Sequence, residues 1–335
     1  MPPCTLEDLR ELASAASGRE DFSPLGTNHA VVVAIGTLAQ LRLAQDRERI
    51  AAWLKRLPCP VVAVGPYPKD ADLLAACDVV ATSEVELSAM RANIARAPFA
   101  AMVLVQVLRA TGTLPVAEAL VVESLAYGAL QAGPEYAAWL GSRKKPKQTQ
   151  VRDSGRAVLV ERSGDTLLLK LNRPSRFNAI SVELRDALCE GLQLALSDPT
   201  VVKLSVSGEG RCFSVGGDLD EFGGAPDPAT AHSVRSVRLP ALFLSQCADR
   251  AEFRLHGACI GAGVELPTFA RRVIAAKDTF FQLPEIRYGL IPGAGGCVSL
   301  PRRIGRHRTA WLALSARKIG AAKAFQWGLV DTLAD

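Results

Sequence analysis

The chain has 335 residues, 49% hydrophobic and 22% charged, with aromatic residues at 6% and a formal charge of +5. This length fits one large domain or two and can bury a sizeable core; the sparse aromatics argue against a base-stacking nucleic-acid surface, and the mild basic excess suits an anionic small molecule. The eight cysteines are scattered, with no CxxC pair and no histidine at zinc spacing, so they read as reduced thiols of a cytoplasmic protein and no metal site is expected.

Residues 5–16 alternate leucine and charge at helical spacing, with Thr5 placed to cap the start, Asp8 three residues on, and Gly18 to end the helix. This leader, residues 1–27, has early acids and no apolar block, which is unlike a secretory signal. No apolar run in the chain nears the roughly 20 residues that span a bilayer. A strand over 29–35, an amphipathic helix over 38–57 and a strand over 60–64 read as an α/β unit, followed by a short strand over 77–81. Three helices are predicted over 85–96, 99–109 and 116–130, punctuated by Pro98, Gly112, Pro115, Gly133 and Pro134. Residues 142–150 form a polar, basic connector that closes a second part, residues 28–147. The third part, 148–335, returns to α/β order. It has a hairpin over 157–162 and 166–171, a helix over 181–196, a strand over 201–207 and the end of another at 253–255. Glycine-rich turns at 208–217, 257–263 and 289–296 lie between these elements and suggest a ligand held by backbone groups.

Three segments of this third part carry the chemistry. They are Asn172-Arg-Pro-Ser-Arg-Phe-Asn-Ala179, then Gly208-Glu-Gly-Arg-Cys-Phe-Ser-Val-Gly-Gly-Asp-Leu-Asp220, and a third in two pieces, His256-Gly-Ala-Cys-Ile-Gly-Ala-Gly-Val-Glu-Leu266 and Leu283-Pro-Glu-Ile-Arg-Tyr-Gly-Leu-Ile-Pro-Gly-Ala-Gly-Gly296. Their order and spacing, with the closing Gly328-Leu-Val-Asp331, resemble the crotonase (enoyl-CoA hydratase/isomerase) family over about residues 156–335. The resemblance implies an α/β fold with a ββα spiral core and an acyl-CoA substrate. Coenzyme A is then part of the substrate, and no separate cofactor or metal is implied.

An enzyme acting through a thioester enolate must stabilise the enolate oxygen, and two backbone N–H groups aimed at it in a dry site do so. By resemblance these belong to Gly217 and Ala262. Glu265 follows Ala262 by three residues, about one helical turn, and so faces the same cavity; Glu285 follows Pro284. Adding water across a C=C bond needs two proton movements, and two carboxyl groups sharing a water can perform both, one ionised and one protonated. The resemblance puts Glu265 and Glu285 at both catalytic positions of the hydratases and gives Gly293 a backbone role in holding the water. Arg173 and Arg176 are assigned to the phosphates of coenzyme A, with a surface ion pair as the other reading of each. Phe177, Leu219, Gly261 and Pro284 complete the expected substrate-binding set. Two positions depart from the family: Asp220 stands where lysine is frequent and opposes an anionic nucleotide, and His256 stands where asparagine is frequent and reads as a packing or hydrogen-bonding residue.

The expected activity is hydration or dehydration of an acyl-CoA, by a homo-oligomer, a trimer or dimer of trimers, that binds neither nucleic acid nor membrane. The alternatives are another reaction of this fold (isomerase, dehydratase, hydrolase) and a non-catalytic partner subunit. The family's closing helices do not follow residue 331. Residues 94–106 and 114–123 resemble them instead, so the second part reads as a reduced crotonase-like half, or else an accessory domain, whose helices dock where the closing helices belong.

Overall fold

A computed structural model of the chain describes residues 3–15, 20–40, 44–66, 74–143 and 153–334; the stop at Gly18 and connector residues 144–150 lie outside these. Helix α1 (Leu6–Ser14) begins at Thr5, whose hydroxyl accepts from the Asp8 amide at 3.1 Å while the Asp8 carboxylate accepts from the Thr5 amide at 2.8 Å. The reciprocal pair satisfies two amides that the first turn leaves open. Strand β1 (Val31–Ala34) runs straight into α2 (Ile35–Ala39). Then come α3 (Ala44–Arg56), β2 (Val61–Val64) and β3 (Val79–Ala81), the three strands forming a parallel sheet in the order β1-β2-β3.

The valine runs in this sheet do not alternate with polar residues because both faces are covered. Val31, Val33, Val61, Ala63 and Val80 point into a small core with Leu9, Ile50 and Leu54. Their neighbours Val32, Val62, Val79 and Ala81 point the other way, into the main core. That second face meets α4 (Glu84–Arg96) and the later helix Arg306–Ser315, and the same core continues through α5 (Pro98–Ala110) and α6 (Val116–Gln131), which are followed by α7 (Pro134–Ser142). Pro98 and Pro134 occupy the first turn of their helices, where a missing N–H costs nothing. Reading Pro134 as a break therefore missed α7.

Beyond the connector, β4 (Val158–Ser163) and β5 (Thr166–Leu171) make the expected hairpin, and α8 (Val182–Ser197) and β6 (Lys203–Gly208) follow. Next are α9 (Pro228–Arg238), α10 (Pro240–Leu244), β7 (Ala251–Leu255), β8 (Ala258–Ile260), α11 (Ala262–Glu265), β9 (Arg272–Ala276) and β10 (Phe280–Gln282). The chain ends with α12 (Gly296–Ile304), α13 (Arg306–Ser315), β11 (Ile319–Gly320), α14 (Ala321–Trp327) and β12 (Thr332–Ala334). Among the described residues these strands form a six-stranded sheet, β12-β9-β7-β6-β5-β4, and a three-stranded sheet, β11-β10-β8. Strands β5, β6, β7, β9 and β12 run parallel, and β8 is parallel to β10, so each neighbouring pair needs a crossover between its strands. The glycine-rich turns lie on those crossovers.

The main core does not divide at the connector. Met90, Leu104, Leu108, Leu120 and Tyr136 share one apolar cluster with Phe253, Phe281, Leu300 and Trp311. Polar contacts cross the same boundary. Thr111 Oγ1 donates to the Cys297 carbonyl at 3.0 Å, and Asn93 Nδ2 to the Leu314 and Ser315 carbonyls at 2.9 and 3.0 Å. Asp78, 1% exposed, accepts from Arg109 of α5 and from Arg306 of α13.

Candidate active site

The loop after β5 is held by Asn178, which is fully buried in a left-handed conformation (φ 51°). Its side-chain amide donates to the carbonyls of Glu209, Cys212 and Phe213, and its Oδ1 accepts from the Arg173 amide. Asparagine tolerates this backbone region, and its four bonds tie the first motif to the second. Ser214 continues the link. Its hydroxyl donates to the Asn178 carbonyl at 2.7 Å and accepts from the Gly216 amide at 3.1 Å. Gly216 has φ +85°, and a Cβ there would lie 2.6 Å from the Ile260 carbonyl oxygen, so glycine alone lets the second and third motifs touch.

That contact brings the Gly217 and Ala262 amides to neighbouring positions. The amides flanking Gly217 are used, since Asp218 N–H bonds the Ile180 carbonyl and Gly216 N–H bonds Ser214. Among the described residues, neither Gly217 N–H nor Ala262 N–H has an acceptor. Both residues line one cavity of about 700 Å³, together with Glu265, Glu285 and Gly293. This volume is within the usual range for a small-molecule site.

Glu265 ends the short helix α11 and is 2% exposed. Its Oε2 accepts from Ala294 N–H at 2.7 Å and Gly296 N–H at 2.9 Å. Burial pushes its carboxyl up to about 7, and these two amides limit the rise. Glu285 opens a single 3₁₀ turn after Pro284. Its Oε1 sits 2.7 Å from where a Cβ on Gly261 would be, and its buried Oε2 has no hydrogen-bond partner among the described residues. Burial first, and then the Glu265 charge, raise the Glu285 carboxyl well above the ordinary carboxylate range. Both carboxyls are thus raised, in each case by burial first.

The cavity also has residues that sequence reasoning missed. Tyr127, Gln131 and Tyr136 line it from the first half of the chain. The Tyr127 ring lies so close to Gly293 that a Cβ on that glycine would be 2.3 Å from it. Arg235 of α9 packs its guanidinium 4.9 Å from the Tyr127 ring centroid and bonds Ser124 and Gln131 of α6. Behind the cavity Glu123, 1% exposed, accepts from Gly295 N–H and Cys297 N–H, each at 2.7 Å. The available signal was a lone acid in an apolar stretch, Val121-Val-Glu-Ser-Leu-Ala-Tyr127, where a buried charge demands strong donors.

The remaining expected site residues lie outside the lining of this cavity. Arg173 is 9% exposed, and its guanidinium is spent on Glu183 and on the carbonyls of Asn172 and Gly155, so the phosphate assignment gives way to the ion-pair reading. Arg176 bonds Asp218 at 2.9 Å and Asp220 at 2.6 Å, so here too the ion pair is what forms. Asp220 accounts for part of this, since it supplies the second of the two carboxylates that Arg176 meets. Phe177 is 47% exposed, with φ 55°. The Leu219 carbonyl accepts from Arg143, while Gly261 (φ 52°) immediately precedes α11 and Pro284 the turn that Glu285 opens. His256 Nε2 pairs with the Gly210 carbonyl at 3.0 Å, the hydrogen-bonding role expected of it. Among the described residues, no group of three or more His, Cys, Asp or Glu side chains is placed to hold a metal ion, and no helix is long and apolar enough to cross a membrane.

Comparison with known proteins bears on the same segment. The family model for enoyl-CoA hydratase/isomerase matches residues 161–334. The chain is 35% identical over 177 residues to 2,3-dehydroadipyl-CoA hydratase of Escherichia coli, covering 52% of this chain and 68% of that protein. It is likewise 35% identical over 181 residues to 1,2-epoxyphenylacetyl-CoA isomerase of the same organism, covering 50% and 68%. Among solved structures, an enoyl-CoA hydratase from Bacillus anthracis is similar at 28% identity and a TM-score of 0.50, over 53% of this chain and 70% of that one. The glycine loops, the α/β architecture and these similarities agree, and the chain belongs to the enoyl-CoA hydratase/isomerase family.

Proposed function

We propose that the protein is a hydro-lyase that adds water to, or removes it from, the α,β carbons of an acyl-CoA thioester. The observation that carries this reading is the convergence on one cavity of two buried glutamates and two backbone amides without acceptors. A thioester carbonyl resting on Gly217 N–H and Ala262 N–H gains charge as the enolate forms, and one such donor is typically worth about 3 kcal/mol of barrier. Glu265, ionised, takes a proton from water as its oxygen bonds to Cβ. The C=C electron pair moves onto the thioester as an enolate, and Glu285 gives its proton to Cα. One water is added. Glu265 then ends protonated and Glu285 ionised, and proton exchange with solvent restores both.

A family member that works as an isomerase needs a single proton shuttle, whereas two acids of opposed protonation suit the two transfers of hydration. The test is loss of the conjugated enoyl-thioester absorbance when crotonyl-CoA is mixed with the protein. Glu285→Gln is expected to lower kcat by roughly 10²–10⁴, the usual contribution of a general acid. Undiminished turnover in that variant, or double-bond migration without hydration in the wild type, rejects the assignment.

A further inference from the structure

We propose that Glu123, supplied by α6 of the first half, is a positioning residue of the acid–base site: it holds the backbone on which Glu265 rests and acts as a third carboxyl in the set that shares the site's protons. The inference deepens the hydratase reading and rests on it. Four successive amides are dealt alternately between two acids. Ala294 and Gly296 donate to Glu265 Oε2, and Gly295 and Cys297 donate to Glu123 Oε1 and Oε2. The 294–297 segment is thus clamped from both sides, and its position sets that of Glu265.

A neutral side chain cannot do the same work. The two amides reach separate oxygens, and glutamine has one acceptor and would turn its NH₂ toward the other N–H. Both oxygens accept here, as the two oxygens of a carboxyl can and the single oxygen of a glutamine cannot. The groups that face Glu123 are Glu265 on α11, Glu285 on its 3₁₀ turn, Cys297 on α12 and Arg235 on α9. Arg235 spends its own hydrogen bonds on Ser124 and Gln131 of α6, so it offsets the Glu123 charge from a distance. Burial and the charge of Glu265 raise the Glu123 carboxyl, while Gly295 N–H, Cys297 N–H and Arg235 oppose the rise. Three carboxyls this close titrate as one set.

The experiment compares the full chain with Glu123→Gln and Glu123→Asp. It follows crotonyl-CoA hydration against pH, and side-chain carboxyl titration by ¹³C NMR in the substrate-free protein. Glu123→Gln is expected to lower kcat about tenfold or more with KM within about threefold, the split that marks an effect on the chemical step. Removing a negative charge should also move the acid limb, and the NMR titration of Glu265 and Glu285, to lower pH. Glu123→Asp keeps the charge and shortens the reach, so its kcat should fall while its limb stays at the wild-type pH. A Glu123→Gln protein with wild-type kcat and superimposable titrations overturns the proposal. If the glutamine variant does not fold, an aspartate variant with wild-type kcat does so. If the wild type hydrates no enoyl thioester, the hydratase reading falls, and the NMR titrations still decide whether Glu123 belongs to the set.

Discussion

Gly293 shows how tightly individual residues are fitted at this site. It has an ordinary backbone conformation, so its need for glycine comes from the Tyr127 ring beside it, not from φ. Gly293→Ala should force the ring off its position and lower kcat/KM by about 10²-fold or more, the scale of a 1 Å misplacement near the chemistry. Adding Tyr127→Ala to the same protein should restore part of the loss, because the two changes share one contact. An additive double variant would show that the alanine acts on the backbone alone. The pH dependence follows from the same scale. Glu265 must be ionised to take a proton, and its carboxyl is raised to about 7. Activity should therefore rise through pH about 7 and fall away below it, and at higher pH decline again as Glu285 loses its proton. A flat kcat/KM profile between pH 5 and 8 would contradict this assignment.

At the scale of elements, legibility tracked how local the cause is. The glycine loops were legible because their order and spacing and their turns with positive φ are written in short stretches, although the close approaches that require glycine, such as Gly216 against Ile260, join separate motifs. Strands β1 to β3 were legible as valine runs, and α4 to α6 as apolar helices between prolines and glycines. What α6 contributes was not legible, since the amides that Glu123 binds lie 172 and 174 residues further along the chain. No window of sequence contains both ends of that contact. The ion pairs of Arg173 and Arg176 were hidden for a related reason: Glu183 and Asp218 look like ordinary surface acids until the loops fold together. Asp78 is the clearest joint between elements, tying β3's entry to α5 and α13 through Arg109 and Arg306, and it also accepts from Val61 N–H at 2.9 Å. Asp78→Ala removes the shared carboxylate from two guanidinium groups, which keep only backbone carbonyls, and takes the acceptor of the Val61 amide. It should cost about 3–5 kcal/mol in urea unfolding; a loss under about 1 kcal/mol would make the joint a surface pair.

For the whole molecule, the shared core sets what can be separated. Residues 150–335 expressed alone would uncover the faces of α12 and α13 that Leu104, Leu108 and Leu120 now cover, and would lack Glu123 and Tyr127. Exposed apolar surface of that kind promotes association, so the fragment is expected to aggregate and to show no hydration. A soluble, active fragment would instead make the first half an accessory. The clamp on residues 294–297 also has a consequence for biosynthesis. Translation at roughly 5–20 residues per second takes on the order of ten to thirty seconds to go from Glu123 to the peptide groups it binds. For that interval the nascent polypeptide carries its future acid–base cover with nothing to cover. The acid–base site therefore cannot be assembled until residues 294–297 have been made, long after Glu123 itself.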